Sequence, residues 1–212
     1  MDNIANGLIQ YLMLVALLTF HEFAHAWAGW KCGDDPARLQ GRLSLNPVVH
    51  IDPIGTVALP LLMVFLPASL GRFLIGWAKP VPFNPRNLGN PSRDEILIAM
   101  AGPAMNLILA VALVALARVG VFFHSVDVAE LFMKGARLSL LLCFFNLIPV
   151  PPLDGSHILR IVSGMSYEAY AKFASFGFII VIGLLQIQPF CNLLASVTYG
   201  TRDMLGRIFG AY

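Results

Sequence analysis

His21-Glu22-Phe23-Ala24-His25 closes an apolar run that holds no charged residue between Asp2 and Glu22. This feature constrains the chain more than any other. Residues four apart lie on one face of a helix, so two imidazoles at that spacing can grip one metal ion. Glu22, beside the first histidine, can take a proton from an attacking water. Ionisable side chains at membrane depth are expensive and usually functional. One helix is thus asked to cross a bilayer and to carry chemistry inside it.

The rest of the chain fits a membrane setting. It has 212 residues, 58% hydrophobic and only 12% charged, where soluble domains carry about 25% charged residues. Mean hydropathy is +0.74. The length suits one membrane-embedded domain, residues 1–212. A formal net charge of +2 is too weak to imply nucleic acid. Cys32, Cys143 and Cys191 are scattered, odd in number and form no CxxC pair, so they read as small apolar residues. The first apolar run lacks a basic leader and a small-residue exit, and it ends in candidate ligands. It is therefore not expected to be a cleaved signal peptide.

Five uncharged stretches stand out: Asn3–His21, Pro53–Gly71, Ile96–Ala117, Leu138–Leu153 and Phe173–Thr201. A spanning helix needs about 20 apolar residues. The first and third qualify, and the fifth is long enough to span and then run along the interface. The second contains Pro53, Pro60 and Pro67 and reads as kinked or re-entrant. The fourth is cut short by a proline cluster and an acid. Lys31–Asp52 is a polar loop rich in turn signals. In Arg72–Glu95, Pro80, Pro82 and Pro85 exclude helix, and the pattern favours an extended edge strand or hairpin. The expected fold is an all-α polytopic membrane protein, a transmembrane helix bundle with a short membrane-associated β-hairpin or re-entrant segment. Basic residues mark both loops as cytoplasmic, so Pro53–Gly71 cannot simply cross once between them.

HExxH supplies two ligands, and a catalytic zinc normally takes three from the protein. Asp154 follows sixteen uncharged residues, in Asn146-Leu147-Ile148-Pro149-Val150-Pro151-Pro152-Leu153-Asp154-Gly155. An unpaired carboxylate at that depth is costly, and a cation held by two histidines would balance it. His21, His25 and Asp154 are the candidate metal ligands, and Glu22 is the candidate general base. Asn106, after Gly102-Pro103 on the third stretch, serves helix packing or function equally well, whereas His50 and His157 fit structural roles.

HExxH in an apolar helix, followed by Asn-x-x-Pro-x-x-x-Leu-Asp-Gly, resembles the site-2 protease family of intramembrane metalloproteases. Gly41-Arg42-Leu43-Ser44-Leu45-Asn46-Pro47, Gly76-Trp77-Ala78-Lys79-Pro80-Val81-Pro82-Phe83-Asn84 and Ala101-Gly102-Pro103-Ala104-Met105-Asn106 resemble segments of its compact bacterial members. The resemblance covers roughly residues 10 to 160. It implies Zn²⁺ held by His21, His25 and Asp154, and catalysis by Glu22. It also implies that Asn146 contacts substrate or the oxyanion. Membrane-spanning proteins are the implied substrates and the bacterial inner membrane the implied location, with no PDZ or CBS module to select them. The oligomeric state is left open. The extended Gly76–Asn84 segment could hold an unwound substrate as an added strand. Two alternatives stand beside this reading: a membrane transporter or channel for metal or protons, and a catalytically inactive scaffold.

Overall fold

The computed structural model describes residues 2–65 and 76–211. Eight α-helices carry the described chain: α1 (Asp2–Lys31), α2 (Pro36–Leu39), α3 (Leu59–Phe65), α4 (Pro91–Phe122), α5 (Val126–Asn146), α6 (Gly155–Val162), α7 (Tyr167–Leu185) and α8 (Gln188–Phe209). Among the described residues, three helical segments, Ile4–Lys31, Pro91–Phe122 and Tyr167–Leu185, are long and apolar enough to cross a membrane. Their outward residues are apolar too. Leu8, Leu12, Leu107, Ile108, Phe176 and Ile179 are all exposed, as lipid-facing positions should be.

Helix α4 is the central element and packs against α1, α5, α6 and α8. Its buried positions Ile98, Gly102, Asn106, Ala110, Val114 and Ala117 recur every three or four residues, which puts them along one side of the helix. On α1 the buried positions Leu14, Leu17, Leu18, His21, Ala24, His25 and Ala28 form the matching stripe. The two helices run antiparallel. Ala28 sits in a cluster with Ile98, while Leu14, Leu17 and Leu18 pack against Leu109 and Leu113. Ser139 of α5 donates to the Asn106 carbonyl at 2.6 Å. Gly120 lies so close to the Ala129 backbone that a Cβ would come within 2.7 Å of its nitrogen, so α4 and α5 meet tightly where they join.

Several elements differ from expectation. The fourth stretch is the end of a longer helix, because α5 begins at Val126 and includes Asp127, Glu130, Lys134 and Arg137. The fifth divides at Gln186-Ile187 into α7 and α8, where Pro189 opens α8 in the first turn that tolerates it. The second begins as a π-helical turn, Pro53–Ala58, that leads into α3. The described Pro53–Phe65 segment is about 20 Å long at 1.5 Å per residue. Pro67 and Gly71 of that stretch, and Arg72 of the following loop, lie outside the described residues.

The expected β-hairpin is corrected. No strand occurs among the described residues, and 76–84 is extended without a ladder partner. Pro80 and Pro82 have no N–H to give to a ladder. The segment is held instead by single bonds to the preceding loop. Trp77 N–H donates to Gly55 O at 3.1 Å and Lys79 N–H to His50 O at 2.9 Å. Thr56 Oγ1 donates to Trp77 O at 2.7 Å, and buried Arg42 donates to the carbonyls of Val49, Lys79 and Pro80. Trp77 covers Gly55, where a Cβ would stand 2.3 Å from the indole.

Candidate metal centre

The last turns of α1 deliver the two histidines, and the proline turn after α5 delivers the acid. His21 Nε2 and His25 Nε2 face each other at 3.0 Å. Asp154 Oδ2 stands 3.2 Å from His21 Nε2, and Oδ1 stands 3.3 Å from His25 Nε2. One donor atom from each residue, all within 4.8 Å of one another, makes a possible metal-binding group. In a tetrahedral site with bonds of about 2.0–2.1 Å, ligand atoms are about 3.3 Å apart. The histidine–histidine spacing, and the spacing of each histidine to its nearer carboxylate oxygen, are close to that edge.

Protons at the outer nitrogens favour the same arrangement. A carbonyl oxygen only accepts, so His25 Nδ1, 2.7 Å from Ile98 O, carries the hydrogen. In the neutral ring Nε2 is then a bare lone pair aimed at the centre. His21 Nδ1 lies 3.0 Å from the Asn106 amide nitrogen, while Asn106 Oδ1 is buried without a partner among the described residues. Turning that amide over sets the orphan oxygen against His21 Nδ1–H, because the two ends of an amide are assigned by their bonding. Both rings then present lone pairs to the centre, oriented from behind as metal-ligating imidazoles usually are.

Asp154 is the N-cap of α6, a position where an aspartate normally caps its own helix. Its side chain makes no cap hydrogen bond. The carboxylate is turned toward the histidines, and buried Oδ2 is left without a hydrogen-bond partner among the described residues. Two lone pairs and a carboxylate converge where they would repel one another. A divalent cation answers that, so the residues fit a zinc ion. Gly102 of α4 keeps the space open: a Cβ there would lie 2.3 Å from His25 Nε2 and 2.5 Å from His21 Nε2.

The turn carrying Asp154 is clamped on both sides. A Cβ on Gly155 would meet Leu147 O at 2.2 Å, and a Cβ on Gly177 of α7 would meet Pro151 O at 2.1 Å. Behind it, Glu95 of α4 is 1% exposed and is saturated with donors. Its Oε1 accepts from Arg160 Nε at 2.8 Å and from His157 Nδ1 at 3.0 Å. Its Oε2 accepts from Tyr167 OH at 2.8 Å and from Arg160 Nη2. Hydrogen bonding to Glu95 also raises the pKa of the Arg160 guanidinium above its ordinary value.

Of the sequence candidates, His21, His25 and Asp154 come together. Glu22 is half-buried on the same turn of α1, about 60° around the helix from His25, and its carboxylate makes no hydrogen bond to a described residue. Asn146 does not join them: its amide donates to Leu142 O of its own helix at 3.0 Å. His50 is buried and bonded to Ser44 O at 2.8 Å. Glu95, Arg160 and Tyr167 escaped the sequence reading, because Glu95 precedes the third stretch and its partners are more than sixty residues away. The one trace was spacing: Glu95, Ile98, Gly102 and Asn106 share a helical side.

The Peptidase family M50 model matches residues 123–186. YwhC of Bacillus subtilis (strain 168), a protein assigned as a zinc metalloprotease, is 35% identical over 97% of this chain and 93% of its own length. Rip2 of Mycolicibacterium smegmatis (strain ATCC 700084 / mc(2)155), assigned likewise, is 32% identical over 82% of this chain and 65% of its own length. Rip2 of Mycobacterium tuberculosis (strain ATCC 25618 / H37Rv) is 30% identical over 89% and 71%. No solved structure matches the chain. Neither the transporter nor the scaffold alternative is favoured by these relatives. The chain belongs to peptidase family M50, the site-2 proteases, and is an intramembrane zinc metalloprotease of the compact kind.

Proposed function

We propose that His21, His25 and Asp154 hold the zinc and that Glu22 is the general base of peptide hydrolysis. The observation that carries this is the set of spacings, 3.0, 3.2 and 3.3 Å, between Nε2 atoms and a carboxylate withheld from its own helix cap. Zinc, when bound, polarises a peptide carbonyl and acidifies water. The protein's residues do the remainder. Ile98 O and Asn106 orient the imidazoles, Gly102 leaves room beside them, and uncommitted Glu22 accepts the proton of the attacking water. Glu22 then returns that proton to the leaving amine. Asn146, whose amide nitrogen is bonded to its own helix, keeps a side-chain oxygen that can accept from substrate.

A peptide bond inside a helix is shielded, so the substrate has to unwind. The extended 76–84 segment supports a role in holding it. Trp77 and Lys79 bond toward the 50–56 loop, and successive residues of an extended chain point their backbone groups to opposite sides. Ala78, between them, turns its N–H and C=O the other way; neither has a backbone partner among the described residues, and the residue lies buried beside Leu14, Leu17 and Leu18 of α1. The substrates are membrane proteins cut within or near their spanning segments. The bacterial inner membrane is the site of action, and residues 1–212 act as one domain. The test is metal analysis of detergent-purified protein together with cleavage of a model transmembrane peptide. One zinc per chain and chelator-sensitive cleavage are expected. A metal-free protein that still cleaves would overturn the assignment.

A further inference from the structure

Helix α6 has little reason to stay where it is on its own account. It is eight residues long and lacks a side-chain N-cap, and isolated helices shorter than about 12 residues are marginal. Its fully buried residues are Gly155, Ser156 and Arg160, while Ile158, Leu159 and Ile161 are only half-buried, so apolar burial anchors it weakly. Yet the residue at its head is Asp154, whose carboxylate has to reach a point fixed by two side chains of α1.

We propose that Glu95 is a positioning residue that sets Asp154 against His21 and His25. The proposal rests on the reading of Asp154 as a zinc ligand. Glu95 takes three hydrogen bonds from α6, two from Arg160 and one from His157, and a fourth from Tyr167 at the head of α7. A second strand of bonding runs back to the acid. His157 Nε2 lies 3.3 Å from Tyr170 OH, Tyr170 OH lies 2.8 Å from Ser156 Oγ, and Ser156 Oγ donates to Leu153 O at 2.6 Å. Leu153 is the residue before Asp154. The Arg160 guanidinium also stacks 4.0 Å from the centre of the Tyr167 ring.

The geometry gives this network a purpose beyond holding two helices together. Ile98, whose carbonyl takes the His25 proton, follows Glu95 by one helical turn on α4, about 4.5 Å along the axis. Gly102 and Asn106 continue the same side. One rigid helix therefore registers all three ligands: His21 through Asn106, His25 through Ile98, and Asp154 through Glu95 and α6. The plain alternative is that Glu95–Arg160 is an ion pair that only stabilises the fold. Desolvation largely offsets the attraction of a buried pair, which makes such a pair a poor source of net stability. It is better suited to enforcing one geometry.

The test is a chelator-competition titration of zinc on the metal-free full-length protein in detergent. It compares the parent with Glu95→Ala, Glu95→Gln, Tyr167→Phe, Asp154→Ala and Glu22→Gln. Loss of a group that orients a metal ligand typically costs about 10- to 100-fold in metal affinity. Glu95→Ala should show that weakening, and raised free zinc should restore its cleavage of a transmembrane peptide. Glu95→Gln, which can still accept hydrogen bonds, should fall between it and the parent. Glu22→Gln should bind zinc like the parent and gain nothing from added zinc. A merely structural role would lower the melting temperature of the metal-free and zinc-loaded forms alike and leave the zinc affinity unchanged, which overturns the proposal. If Glu95→Ala is not recovered folded, Glu95→Gln and Tyr167→Phe decide it: parent-like zinc affinity in both overturns the proposal, and weakened affinity rescued by zinc upholds it. Asp154→Ala binding zinc as tightly as the parent would overturn the ligand reading and this inference with it. Asp154→Ala losing zinc while Glu95→Ala keeps it within twofold would overturn this inference alone.

Discussion

His25 donates its Nδ1 hydrogen to the carbonyl of Ile98 at 2.7 Å, and that bond decides which nitrogen of the ring faces the metal. A donor on α1 and an acceptor on α4 thus share the job of preparing a ligand. The protein should bind about one zinc per chain, the number a single three-ligand site holds. His21→Ala combined with His25→Ala should abolish it. Zinc content unchanged in the double variant, measured by elemental analysis, would show that the metal sits elsewhere.

Glu22→Gln should keep zinc and lose proteolysis. Glutamine has the size of glutamate but cannot take a proton, and general-base catalysis is worth about 10² to 10⁴ in rate. Cleavage of a helical membrane substrate at near the parent rate would remove Glu22 from the mechanism.

Asp154→Ala and Asn146→Ala should part company. The first deletes a carboxylate whose oxygens stand 3.2 and 3.3 Å from the imidazoles, so zinc and activity should fall together. The second deletes an amide bonded, among the described residues, only to its own helix, so activity should fall with zinc retained. Equal zinc loss in the two would count against separate roles.

Gly102→Ala should expel the metal without unfolding the helix. Alanine is the better helix former by about 1 kcal/mol, yet its methyl would sit 2.3 Å from His25 Nε2. Gly183→Ala and Gly200→Ala serve as controls, because nothing lies within 4 Å of a Cβ at either position. They should bind zinc normally and melt at or slightly above the parent temperature. Normal zinc affinity in Gly102→Ala would mean that the centre has more room than the structure gives it.

Ala78→Pro should slow cleavage of stable helical substrates most. It removes an N–H that the extended segment turns away from its own loop, and leaves zinc content unchanged. A substrate with helix breakers near the cut needs less help and should suffer less. The readout is the parent-to-variant ratio of kcat/KM for a matched pair of such substrates. Equal losses would make the segment a structural plug.

What the sequence revealed followed from short-range rules. His21 and His25 are four apart, so their shared face needs only helix geometry. Asp154 is conspicuous because sixteen uncharged residues precede it. The hairpin failed because extended backbone does not imply a ladder partner, and here Arg42 and Thr56 side chains satisfy the carbonyls a neighbouring strand would have used. Helix α5 looked short because Asp127, Glu130, Lys134 and Arg137 conceal its first half from a search for uncharged runs. Glu95 was invisible for a different reason. A buried acid declares itself only through its partners, and Arg160 lies 65 residues further along the chain.

The end of α1 carries two exposed tryptophans, Trp27 and Trp30, with the Lys31 ammonium 4.4 Å from the Trp30 ring centre. Such residues settle at the membrane–water boundary. Counting back along the helix, His25 lies about 7.5 Å and His21 about 13.5 Å inside that boundary. The cut should therefore fall in the nearer leaflet of a core about 30 Å thick. It would divide a spanning segment unequally, into a stub short enough to leave for water and a remnant long enough to stay in the lipid. Release of one product and retention of the other would follow from the depth of two histidines below a pair of tryptophans.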